Sequence, residues 1–365
     1  MSDATLPSSG TVGVIVNPVA GKDIRRLTGG AAHTPDTTKI GIVHRAIVGA
    51  IESGARSILV ADDPHRLGRR AVESIEVLGA DDLPVDIEFL SGHVGGGRDD
   101  TVAAAAEMRR RRVDVVIALG GDGTCRDVAT GWPDVPLIAI STGTNNVYPR
   151  ALDATTAGVA AGLVASGSVE RERVAQPTKR IVVRLDGAER TEDVALVDLA
   201  LVEGSFVGAR AVSDPGAVRS ILAAVAETAT TGLSSVAGRA APLDRHSRGG
   251  VEIMLVPPAD DVRCIRVPLS PGRFESVGIE HVRRLVDGEP VEWHGPGVLA
   301  FDGERDLPIG PDATVVAHVE RTGPVLIDVE SAVTIAALDG RFDRPTPCVV
   351  ASGASVSREG DPHAR

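Results

Sequence analysis

The segment VDVVIALGGDGT, from Val113 to Thr124, joins an unbroken apolar run to three glycines and then to a helical pattern. Val115, Val116, Ile117, Ala118 and Leu119 show no polar alternation, the pattern of a strand covered on both faces in a parallel sheet. Gly120, Gly121 and Gly123 lack a Cβ, so the chain there can adopt φ > 0 and an anion can approach backbone N–H groups closely. Thr124 can cap the next helix, whose N-terminus carries partial positive charge. The junction therefore suits a phosphate. Asp122 does not favour an anion by itself; it fits coordination of Mg²⁺ or acceptance of a proton from a hydroxyl attacking phosphorus. A tight turn with a solvated aspartate is the plainer alternative.

The surrounding chain repeats this strand-to-helix alternation. Val12–Val16, Ser57–Ala61, Val85–Leu90, Val115–Leu119 and Pro136–Ile140 read as strands, with helices over Lys39–Glu52, His65–Leu78, Asp99–Arg112 and Ala154–Ala165. Such βαβ alternation predicts a mostly parallel sheet covered on both faces, with ligands outside the carboxyl ends of its strands. After Gln176-Pro177 the texture turns β-rich: Arg180–Leu185, Val194–Val202, Val251–Val256, Val291–Trp293, Val298–Phe301, Thr314–Val319 and Val325–Val329. Asp186-Gly187, Asp287-Gly288 and Asp302-Gly303 supply turn signals, which implies antiparallel strands. A helical insertion is expected over Ala217–Thr230. The tail from Ser352 to Arg365 has the composition of a disordered segment.

At 365 residues the chain is long for one core and suggests two domains, 1–175 and 176–330, with about 331–350 completing the first. A formal charge of −12 argues against nucleic acid and anionic membrane as partners. Cys125, Cys264 and Cys348 are odd in number and far apart, which fits a reducing cytosol and no zinc pattern. The N-terminus MSDATLPSSG lacks a basic start and an apolar stretch, and no run reaches the length of a membrane span, so a soluble, cytoplasmic protein is expected. Homo-oligomerisation is the expected assembly. Lysine is rare, occurring only at positions 22, 39 and 179.

Three further constellations fall where strands should end. Asn17-Pro18-Val19-Ala20-Gly21-Lys22 closes the first strand, as a phosphate or ribose contact or as a plain turn. Ser141-Thr142-Gly143-Thr144-Asn145-Asn146 closes another with more hydroxyls and amides than solubility requires, which points to ligand contact. Gly92–Gly97 precedes a helix as a phosphate cradle, a lid or a linker. The pattern GxxxxGK[ST] is absent, which disfavours a P-loop fold.

NPVAG near the start, LGGDGT, then STGTNN, and FDGE in the β-rich half together resemble the NAD kinase and diacylglycerol kinase-like superfamily, closest to its AcoX-type ATP-NAD kinase branch. The resemblance spans most of residues 12 to 340. It implies a Rossmann-like α/β N-terminal domain, a C-terminal all-β sandwich, an active site in the crevice between them, and a return of Ala332–Leu338 to pack on the first domain. It implies Asp122 as the base that contacts the acceptor hydroxyl, with Gly120, Gly121, Gly123 and Thr124 as the phosphate-binding turn. Asn17, Thr142, Gly143, Thr144, Asn145 and Asn146 become nucleotide contacts. Glu304 matches the acidic residue of the DGE turn in the lipid-kinase-like branch. Where NAD kinases carry an Asn-Glu or Asn-Asp pair entering the second domain, this chain has Val197-Asp198, leaving Asp198 as an acceptor contact or as a polar strand position.

The chemistry implied is Mg²⁺-dependent transfer of the γ-phosphoryl of ATP, or of polyphosphate, to the 2′-hydroxyl of NAD. Such transfer needs positioning and charge neutralisation more than covalent chemistry. A lipid or small polyol as acceptor, and a non-catalytic protein that binds NAD or ATP, are the alternatives.

Overall fold

The computed structural model describes residues 9–20, 34–77, 85–90, 95–143, 146–186, 191–207, 212 and 214–343. Lys22, Gly92 to Val94, Thr144, Asn145, Gly187 and the tail from Ser352 lie outside the described residues. In the N-terminal half, β1 (Thr11–Val16), β2 (Ser57–Ala61), β3 (Asp86–Leu90), β4 (Val115–Gly120) and β5 (Pro136–Ser141) run parallel in the order β3-β2-β1-β4-β5. The helices α1 (Asp36–Glu52), α2 (Leu67–Val77), α3 (Arg98–Arg110), α4 (Asp122–Gly131) and α5 (Ala154–Ala165) alternate with them. The unbroken apolar runs of β1 and β4 are explained by burial on two faces: Val12, Val14, Ile117 and Leu119 join the core with α1, α2 and α5, while Ile15, Val116 and Ala118 join that with α3 and α4.

After β6 (Ala175–Pro177) the chain builds two antiparallel sheets. Their strands are β7 (Arg180–Asp186), β8 (Glu192–Ala195), β9 (Asp198–Val202), β10 (Val218–Ala223), β11 (Gly250–Val256), β12 (Arg263–Ser270), β13 (Arg273–Leu285), β14 (Val291–His294), β15 (Gly297–Phe301), β16 (Glu304–Ile309) and β17 (Thr314–Glu320). One sheet is ordered β12-β13-β11-β10-β9-β15-β16 and the other β14-β17-β7-β8. Leu199, Leu201, Leu222, Leu299 and Phe301 of the larger sheet pack against Ile181, Val183, Trp293 and Val315 of the smaller. The other face of the larger sheet, through Ala200, Val202, Ile221 and Ile253, is covered by α6 (Leu233–Ala240). Finally β18 (Val325–Ile327) pairs parallel with β5 and antiparallel with β6. The helix α7 (Val329–Leu338) then places Val329, Ala332 and Ala336 in the core beside α5, as the return of Ala332–Leu338 required.

Several expectations change. No helix spans Ala217–Thr230: Val218–Ala223 is a strand, and the helix starts only at Leu233. Leu222 and Ala224 face one core while Ile221 and Ala223 face the other, so SILAAVA carries no polar periodicity and a doubly buried strand reads like a buried helix. Val194–Val202 is two strands in two different sheets. The break falls at Leu196-Val197, where the side chain of Asp302 takes the backbone amides instead of a neighbouring strand. Val325–Val329, expected among the antiparallel strands, instead joins the N-terminal sheet beside β5, and it ends at Ile327 because Asp328 caps α7, its carboxylate accepting from Ser331 N at 3.0 Å. The strands Arg263–Ser270, Arg273–Leu285 and Glu304–Ile309 are not legible in the sequence because their charged residues, exposed in much of the first two and half-buried in the third, mask the alternation.

α1 and α5 touch backbone to backbone. A Cβ on Gly158 would lie 2.0 Å from Ala46 O, one on Gly162 2.3 Å from Ala50 O, and one on Gly49 2.4 Å from Thr155 O. Gly→Ala inside a helix ordinarily gains about 0.5–1 kcal/mol. Here Gly158→Ala must push the helices apart, and we expect it to lose about 2 kcal/mol or more. Urea unfolding of the variant checks this; an unchanged or higher midpoint would refute the close packing.

Candidate functional site

Adjacency of β1, β4 and β5 decides what meets what. Asn17 N donates to Leu119 O at 3.0 Å and Thr142 N to Gly120 O at 3.1 Å, so the loops leaving these strands lie side by side at the carboxyl ends. Asn17 spans the gap: its Nδ2 donates to Thr124 Oγ1 at 2.8 Å while its Oδ1 accepts from Val19 N at 2.9 Å. Buried Lys39 holds the same turn by donating to Pro18 O at 2.7 Å and Ala20 O at 2.8 Å, with Asn17 O at 3.3 Å. Of the rare lysines, two are thus interior anchors, because Lys179 likewise donates to Asp244 O and Gly249 O at 3.2 Å. Burial, with Arg321 nearby, lowers the Lys179 pKa to about 8.

The glycines act through close approach. None of Gly120, Gly121 and Gly123 has positive φ, contrary to the conformational freedom expected of them. A Cβ at Gly120 would meet Thr124 Oγ1 at 2.3 Å and one at Gly121 would meet Asn146 Oδ1 at 3.0 Å, whereas one at Gly123 meets nothing within 4 Å. The first two let the loops close; the third leaves the start of α4 open. Thr124 is not the helix cap either. Gly121 occupies that place, and Thr124, one turn in, accepts from its N–H at 3.4 Å. Asn146 Nδ2 donates to Ser141 Oγ at 2.8 Å, which sets the loop that Gly143 opens. Thr142 Oγ1 is buried without a hydrogen-bond partner among the described residues.

Asp122 heads α4 and is 9% exposed. Its Oδ1 accepts from Tyr148 N at 2.7 Å and Val147 N at 3.0 Å, with Oδ2 at 3.1 Å from Val147 N. The β-rich half reaches the same helix. Leu196 and Val197 pack with Cys125 and Tyr148 in the core beneath β4 and β5. Asp198 is 2% exposed and its Oδ1 accepts from Gly303 N at 3.1 Å, so it braces the turn between β15 and β16. Glu304 opens β16 beside that turn and is partly exposed.

Asp302, which the sequence marked only as a turn residue, is the buried carboxylate of this turn. Its φ of 51°, followed by 80° at Gly303, closes a tight hairpin. Oδ1 accepts from Val197 N at 2.7 Å, Leu196 N at 2.9 Å and Asp198 N at 3.3 Å, while Oδ2 has no partner among the described residues. Burial raises its pKa to about 6, against the pull of Arg126 and the three amides. The Cys125 thiol is pushed well up by its own burial and by the Asp122 and Asp302 carboxylates.

A second feature missed in the sequence lies one turn along α4. Arg126 donates through Nη2 to Asp193 at 2.6 Å and Asp306 at 3.1 Å, through Nε to Val194 O at 2.7 Å, and stacks over Phe301 at 4.1 Å. Arg98 joins Asp193 at 2.9 Å, Asp127 at 3.3 Å and Asp306 at 3.6 Å. Its spacing of four residues from Asp122 puts Arg126 on the same face of α4, the one signal available beforehand.

Three carboxylates here share two guanidinium groups, and two of them, Asp193 and Asp127, shift in opposite directions. Burial would raise Asp193, yet Arg98 and Arg126 hold it at about 2, whereas burial lifts Asp127 to about 7 with Arg98 only partly opposing. The folded protein therefore retains a proton on Asp127 that an unfolded chain, titrating near 3.8, has released. Stability from this group is full below about pH 4 and declines as pH rises through 7. Asp127→Asn is expected to raise stability by about 1–3 kcal/mol at pH 8, with the gain shrinking toward pH 4. Thermal unfolding of both proteins from pH 4 to 8 reads this directly, and a gain independent of pH would contradict it.

Residues 40–169 match the family model described as the ATP-NAD kinase N-terminal domain, and residues 179–322 match that of the acetoin catabolism protein X C-terminal domain. Acetoin catabolism protein X of Cupriavidus necator is 34% identical over 315 residues, covering 84% of this chain and 87% of that protein. The solved structure of yeast NADH kinase complexed with NADH aligns at a TM-score of 0.50 with 13% identity, over 93% of this chain and 89% of that one, a likeness of fold. With an NAD kinase-like fold and a relative at this identity along most of both lengths, the chain belongs to the acetoin catabolism protein X family.

Proposed function

We propose that this protein is a phosphotransferase that moves the γ-phosphoryl group of ATP to an alcohol, with the 2′-hydroxyl of NAD as the acceptor to try first. The observation that carries the reading is that Asn17, Thr142 and Asn146 all lie against the Gly120–Thr124 turn, which carries the buried carboxylate of Asp122. The open start of α4 at Gly123 and the unpartnered Thr142 hydroxyl suit a phosphate or ribose oxygen. In the reaction the acceptor oxygen attacks phosphorus, its proton passes to Asp122, and ADP leaves with the electron pair of the broken P–O bond. Amides of Val147 and Tyr148 orient that carboxylate beforehand. Among the described residues no group of three acidic, histidine or cysteine side chains stands ready to hold a metal. Mg²⁺ held by the nucleotide phosphates would supply charge neutralisation for the transfer. Among the described residues no helix is long and apolar enough to cross a membrane.

A second reading, a nucleotide-binding accessory without turnover, is favoured by one observation. At the place where NAD kinases carry an asparagine, Val197 is 1% exposed and its amide is committed to Asp302.

Incubation of the pure protein with ATP, Mg²⁺ and a panel of acceptors headed by NAD separates the two readings. We expect NADP to form, and Asp122→Asn to lower turnover by about 10²-fold or more, the usual scale of positioned proton transfer. ATP binding without transfer to any acceptor would favour the accessory reading. Thr142→Val offers an independent check on the site. It removes a hydroxyl that has no partner among the described residues, so stability should hold or rise, while affinity for ATP or NAD falls by about 1 kcal/mol as a ligand hydrogen bond is lost. Calorimetric titration with each ligand measures this, and unchanged affinity for both would remove Thr142 from the site.

A further inference from the structure

We propose that Arg245, from the β-rich half, is the positioning residue for Asp122, an inference that rests on the phosphotransfer reading above. Arg245 is 5% exposed and lies on the loop between α6 and β11. Its Nε and Nη2 grip Glu227, at 2.7 Å to Oε1 and 3.1 Å to Oε2. Its remaining donors reach across to the N-terminal half: Nη2 to Val147 O at 2.8 Å and Nη1 to Tyr148 O at 3.3 Å.

The Val147 carbonyl and the Tyr148 N–H belong to one peptide group. That group is planar, with its oxygen and hydrogen pointing opposite ways. It stands between the guanidinium, which donates to the oxygen, and Asp122 Oδ1, which accepts from the nitrogen at 2.7 Å. A rigid unit clamped at both ends has one orientation, and a buried chain of hydrogen bonds polarises each member further. The guanidinium thus strengthens the amide as a donor to Asp122 and fixes where the carboxylate sits, without touching a substrate.

The support behind Arg245 is equally determined. Glu227 and Arg245 flank a two-residue bridge in which Ala226 N donates to Leu243 O at 2.9 Å and Leu243 N to Ala226 O at 3.0 Å. Buried Lys179 holds Asp244 O and Gly249 O at 3.2 Å, the two ends of the loop that carries Arg245. The seam between the halves is therefore wired to the group proposed to take the proton.

The test uses the full chain with Arg245→Met and, should that variant not fold, Glu227→Gln, which weakens the grip on the guanidinium while leaving Arg245 in place. Amide hydrogen exchange at Val147 and Tyr148 is measured together with turnover on ATP and the accepted alcohol. We expect exchange at Tyr148 to quicken at least tenfold while Val14, in the centre of β1, is unchanged; kcat should fall at least tenfold with the KM for ATP within threefold. A merely structural arginine would lower stability without that split. Unchanged exchange at Tyr148, unchanged kcat, or a rise in KM alone would each overturn the proposal. If the wild-type protein transfers phosphate to no acceptor, the phosphotransfer reading fails, and exchange at Tyr148 alone decides whether Arg245 holds Asp122.

Discussion

The carboxylate of Asp122 is linked to both halves of the protein, directly to the segment after β5 and through that segment's carbonyls to Arg245. An anionic group at 9% exposure needs donors, and Val147 and Tyr148 supply backbone amides from the segment after β5. That segment is irregular, so its own carbonyls need donors too, and Arg245 supplies them from the β-rich half. Satisfying one buried charge therefore fixes the loop after β5, the loop before β11 and the seam between them.

α4 is held at a second place one turn further on. Arg126 ties it to Asp193, Val194 and Asp306, and stacks on Phe301 at the end of β15. Near these attachments Leu196 and Val197, whose amides Asp302 holds, pack in one core with Cys125 of the same helix, and Asp198 braces the turn that carries Asp302. With three carboxylates for two guanidinium groups in the Arg98–Arg126 cluster, one acid carries an unfavourable burial, and Asp127 is that acid. A buried ionic cluster is weak evidence of stability; what this one does in the structure is join α4 to Asp193 and Val194 of β8 and to Asp306 of β16.

The opposite face of the parallel sheet is built on contact between backbones. Gly49, Gly158 and Gly162 allow α1 and α5 to approach until no Cβ fits between them. α1 in turn brings Lys39 under the Asn17 turn. The position of that turn beside Thr124 thus depends on helix packing on one face and on strand order in the sheet.

How much was legible in advance follows from the range of the interactions concerned. Strand and helix identity in the N-terminal half could be read from the chain because each element carries its own periodicity, and the motif-bearing loops fall at strand ends for the same local reason. Asn17, Asp122, Thr124, Thr142 and Asn146 were recognisable as a set by residue type and spacing. The β-rich half was less legible: SILAAVA, buried on both faces, has the same pattern in a strand as in a helix, and only its pairing with β9 on one side and β11 on the other makes it β10. Arg126, Asp193, Arg245, Glu227 and Asp302 gave no comparable signal, since their partners lie 18 to 180 residues away along the chain. The sequence by itself determined the five parallel strands of the N-terminal half and the loops that leave them, because those properties are local; only the tertiary structure decided that β6 and β18 join that sheet and which buried charges hold those loops, because strand, ionic and hydrogen-bond partners are chosen by proximity in space.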